Sequence, residues 1–63
     1  MSAWAVSFRL KQHSDSRARE LGQRIEYLAQ RATEYAADGM TGPAAQMRRE
    51  MDSDMRRAQE FLA

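Results

Sequence analysis

The chain has 63 residues and 7.3 kDa, with ten basic and nine acidic side chains, no cysteine, one proline and one tryptophan. That allows a single small domain, which buries only about 60% of the surface its unfolded chain exposes. With no disulfide and almost no stock of metal ligands, such a chain gains stability by oligomerising or docking on a partner, and a pocketed enzyme is a poor expectation.

The net charge of +1 is unevenly spread. Residues 1–31 carry Arg9, Lys11, Arg17, Arg19, Arg24 and Arg31 against Asp15, Glu20 and Glu26, a net +3. Residues 32–63 carry a net −2. A basic front half invites an acidic partner, and equally the chain's own acidic second half. No apolar run is long enough to cross a membrane, and the run from Ala3 to Phe8 has no basic region before it, so no secretory signal is expected. The cytoplasm is the expected compartment.

Residues 3–11 alternate Trp4, Val6, Phe8 and Leu10 with Ala5, Ser7, Arg9 and Lys11. Alternation in β-favouring residues predicts a half-buried strand, although a helix would also bring Trp4 to Phe8 and Val6 to Leu10. The polar His13–Ser16 segment then supplies Asp15 or Ser16 as an N-cap for a first long helix over 16–37. Ala18, Leu21, Ile25, Leu28, Ala32 and Tyr35 recur at alternating spacings of three and four, a heptad seam. Arg17, Arg24 and Arg31 run along one edge of that seam. Gly22, Ala29 and Ala36 run along the other, where their small size permits a second helix to come close.

Asp38-Gly39 closes this helix, with Gly39 as the left-handed residue beyond its end, and residues 38–42 form a turn. The second long helix spans 43–62, with Pro43 in its first turn and Ala44, Met47, Met51, Met55, Ala58 and Leu62 on one face. The expected fold is therefore mainly α: one domain over 1–63, with an N-terminal β-strand and an antiparallel two-helix hairpin. A homodimer would complete it, since a lone strand has no partner for its backbone groups and two helices cannot bury every apolar face.

Few residues promise chemistry. His13 lies beside Ser14 and Asp15, but a nucleophilic triad needs convergence in space rather than adjacency. One histidine and no cysteine give no zinc site, and Glu50 with Asp54 makes a weak cation site. No glycine-rich phosphate loop is present. The arginine column reads as a heptad flank pairing across the seam, with Arg31 near Glu50 and Arg24 near Asp54 and Arg57, before it reads as a phosphate ridge. Arg48, Asp52, Arg56 and Glu60 form a ladder of alternating sign that satisfies itself in water. The methionine face reads as core, with an adaptable surface for a partner helix as the alternative.

The leading expectation is a non-catalytic regulatory or interaction protein without cofactor or metal, an inhibitor or adaptor of the kind phages and plasmids encode. Trp4 and Phe8 would anchor another protein, with Arg9, Arg17 and Arg24 beside them. A structural or assembly subunit fits the same features. The alternative is DNA binding. The order strand, helix, turn, helix, with the segment Val6-Ser7-Phe8-Arg9-Leu10-Lys11, resembles the ribbon-helix-helix repressors, whose paired strands enter the major groove. That resemblance implies Ser7, Arg9 and Lys11 as the residues that read DNA. The chain departs from that family in its long first helix and its modest charge.

Overall fold

The computed structural model describes residues 1–63 as three helices: α1 (Ala3–Lys11), α2 (Ser16–Ala37) and α3 (Thr41–Leu62). The strand expected over 3–11 is absent, and α1 stands in its place. Ser2 is the N-cap in an extended conformation, and its hydroxyl oxygen accepts the Ala5 N–H at 3.2 Å. Arg9 and Lys11 occupy the last turn, where cations favour the negative end of the helix dipole. A helix also satisfies its own backbone groups, whereas a single strand leaves them without partners.

The helical period changes which side chains go inside. Val6, Ser7 and Leu10 are buried, while Trp4 is 54% exposed and Phe8 64% exposed. In a strand, the two aromatics would have shared the inner face with Val6 and Leu10. In the helix they share an outer face one turn apart, and the small Ser7 goes inward.

α2 begins at its N-cap Asp15, whose Oδ1 accepts the Arg17 N–H at 2.9 Å. Of its heptad positions, Ala18, Leu21, Ile25, Leu28 and Ala32 are buried. The helix ends in a Schellman arrangement: Gly39 at φ 75° donates to the Ala36 carbonyl at 3.1 Å, and Met40 donates to Tyr35 at 2.9 Å. α3 starts at Thr41, slightly earlier than the composition of the turn implies, and takes Gly42 and Pro43 into its first turn. Its fully buried residues are Ala44, Asp54 and Ala58, with Met51, Met55, Phe61 and Leu62 packed partly buried against the core.

α1 lies antiparallel to α2 in the groove between α2 and α3. The contact is tightest at Gly22, where an added Cβ would fall 2.9 Å from Leu10 Cβ and 3.0 Å from the Ser7 carbonyl oxygen. The edge of small residues thus receives a second helix, and that helix is the chain's own N-terminal segment. Val6, Leu10, Ala18, Leu21, Ile25 and Ala58 form the core beneath it. With α1 in place, the accessible surface of 4206 Å² matches the roughly 4,200 Å² expected of a folded 7.3 kDa monomer. α1 covers part of the apolar surface for which a homodimer was expected, while Trp4 and Phe8 stay exposed.

Candidate functional site

Trp4 and Phe8 define the outer face of α1. Met1 is 73% exposed, and its sulfur lies 3.9 Å from an Arg9 guanidinium nitrogen at the surface. Arg9 is exposed and makes no ion pair within 4.0 Å. One short helix therefore presents two aromatic rings and a free cation to solvent. All three belong to the residues expected to contact a protein.

The remaining expected contact residues lie elsewhere. Arg24 turns away from α1 and joins α2 to α3: its Nε donates to Asp54 Oδ2 at 2.6 Å, and a terminal nitrogen lies 3.5 Å from Glu50 Oε1. Arg57 adds a second cation 3.5 Å from Asp54, whose residue is only 2% exposed. Arg17 bonds back to its own N-cap, Nη2 to Asp15 Oδ2 at 2.9 Å. That side-chain bond, helped by the Arg17 backbone N–H, holds the Asp15 carboxyl down at about 2. Arg17 and Arg24 line a groove with Leu21, Arg57 and Phe61 on the face of the hairpin away from α1. The structure thus separates Arg17 and Arg24 from Trp4, Phe8 and Arg9.

The residues assigned to DNA reading are not gathered on one exposed face. Ser7 is buried and donates its hydroxyl to the Gly22 carbonyl at 2.8 Å. Lys11 pairs with Glu26, and this bond to Lys11, assisted by Ser7, holds the Glu26 carboxyl below its ordinary range. Arg9 alone remains free, on a helix rather than a ribbon. The physical reason is the one that removed the strand: at the helical period Ser7 and Lys11 turn toward α2.

Other expectations resolve locally. Arg31 does not reach Glu50; it pairs with Glu34 at 3.0 Å and donates to the Tyr35 hydroxyl at 2.8 Å. Arg48, Asp52, Arg56 and Glu60 are all exposed, but no member pairs with another within 4.0 Å. His13 sits in the α1–α2 connection, its Nδ1 accepting the Asp15 N–H at 3.0 Å and its ring edge-on to Phe61. No three His, Cys, Asp or Glu side chains converge on a common point.

One feature was not singled out from the sequence. Beyond the start of α1, the groove between α2 and α3 runs on toward the turn, open and lined by Trp4, Ala32, Thr33, Ala36, Arg48 and Met51. The signal for it lay in the length of the Gly22–Ala29–Ala36 edge, which outruns a nine-residue helix. No helix of the chain is long and apolar enough to cross a membrane. No protein-family model matches the chain, and no match to a curated protein or a solved structure was found.

Proposed function

We propose that this chain is a non-catalytic protein-binding module, an adaptor or inhibitor that engages another protein through the Trp4/Phe8 face of α1. One observation carries the reading: two large aromatics stand 54% and 64% exposed one turn apart in a molecule whose core closes without them. Scattered apolar side chains on a surface need no explanation, but an aromatic pair on one short helix is an unusual concentration. Tryptophan is also over-represented among residues that dominate binding energies, and so is arginine, here Arg9. Every buried side-chain nitrogen and oxygen has a hydrogen-bond partner, so the interior is complete within the single chain.

The test is capture of binding proteins by the tagged full chain from nuclease-treated lysate, followed by titration of the purified partner. Trp4→Ala and Phe8→Ala should each weaken binding at least about tenfold, the equivalent of about 1.4 kcal/mol. Helix content and melting temperature should stay close to the parent's, because both side chains project outward. Parent-like affinity in both variants would overturn the reading, as would capture that disappears with nuclease.

A further inference from the structure

We draw no further inference here: the strongest candidate, the groove on the face of the α2–α3 hairpin away from α1 that Arg17, Arg24 and Arg57 line, carries no ligand class, because Asp15, Glu50 and Asp54 already engage those three guanidinium groups and the carboxylates of Glu20 and Glu60 line the same groove.

Discussion

Gly22 decides whether α1 can sit where it does. Alanine in its place would gain about 1 kcal/mol of helix propensity in the middle of α2. Against this, the new methyl would lie 2.9 Å from Leu10 Cβ and 3.0 Å from the Ser7 carbonyl oxygen. Neither atom is the end of a flexible side chain, so the clash is relieved only by moving α1 as a body. Overpacking of this kind costs about 1–3 kcal/mol, and it outweighs the propensity gain. Gly22→Ala should therefore destabilise the fold by up to about 2 kcal/mol and loosen α1 first, seen as faster amide exchange in residues 5–11. Gly42 provides the opposite sign. It has open space around its Cβ position and no positive φ, so Gly42→Ala should be neutral or stabilising by up to about 1 kcal/mol in urea melts. If both variants shift stability in the same direction, steric contact at Gly22 is not what sets the position of α1.

At the scale of elements, the two long helices were legible and the short one was not. Three heptads give α2 a period that no strand can mimic, and Gly39 marks its end. The N-terminal segment offers only four apolar residues in alternation, and positions 4, 6, 8 and 10 form two helical pairs as readily as one strand face. The deciding signals were smaller: Ser2 as an N-cap, and a row of small residues on α2 that needed a second helix the hairpin could not supply. Trp4, Phe8 and Arg9 were identifiable as candidate contacts from residue type alone, but their exposure depends on a helical period that the alternation concealed. Arg17 and Arg24 look equally available in sequence, and only the antiparallel register of α3 shows Arg24 committed to Asp54. That pair yields a prediction. Arg24→Ala leaves the buried Asp54 carboxylate with Arg57 alone at 3.5 Å. Breaking a wholly buried pair costs about 3–5 kcal/mol, and because Arg24 is half-exposed and Arg57 remains, about 1–3 kcal/mol is expected. Adding Asp54→Leu should recover part of that loss by removing the uncompensated charge. Urea melts of the two variants check this. A double variant less stable than Arg24→Ala would show that Asp54 contributes by some route other than this pair.

For the molecule as a whole, the asymmetry between its basic front half and acidic second half is partly resolved internally, because the hairpin folds one onto the other and Arg24 bridges to Asp54 and Glu50. The same logic makes stability depend on acid. Asp15 caps α2 and is held at about 2 by Arg17, below the ordinary aspartate value of about 3.9. Glu26, which clamps α1 through Lys11, is likewise held below its ordinary value. A carboxyl whose folded value is depressed binds protons more readily when the chain unfolds. Its contribution is therefore complete above the unfolded value and disappears as pH falls through the folded one. Stability should be level from pH 7 to about 5, then fall steadily toward pH 2, as both the α2 cap and the α1 clamp are protonated. Thermal melts by circular dichroism across that range check it. Asp15→Asn keeps a capping oxygen but removes the charge, and Glu26→Gln keeps a hydrogen-bonding group but removes the ion pair. Each should lower the plateau at neutral pH and flatten part of the acid slope, and together they should flatten more than either alone. Because Glu26 acts on α1 and Asp15 on α2, Glu26→Gln should also raise amide exchange in residues 5–11 at neutral pH, while Asp15→Asn should affect the first turn of α2. An acid slope unchanged in the double variant would remove both carboxylates as its cause.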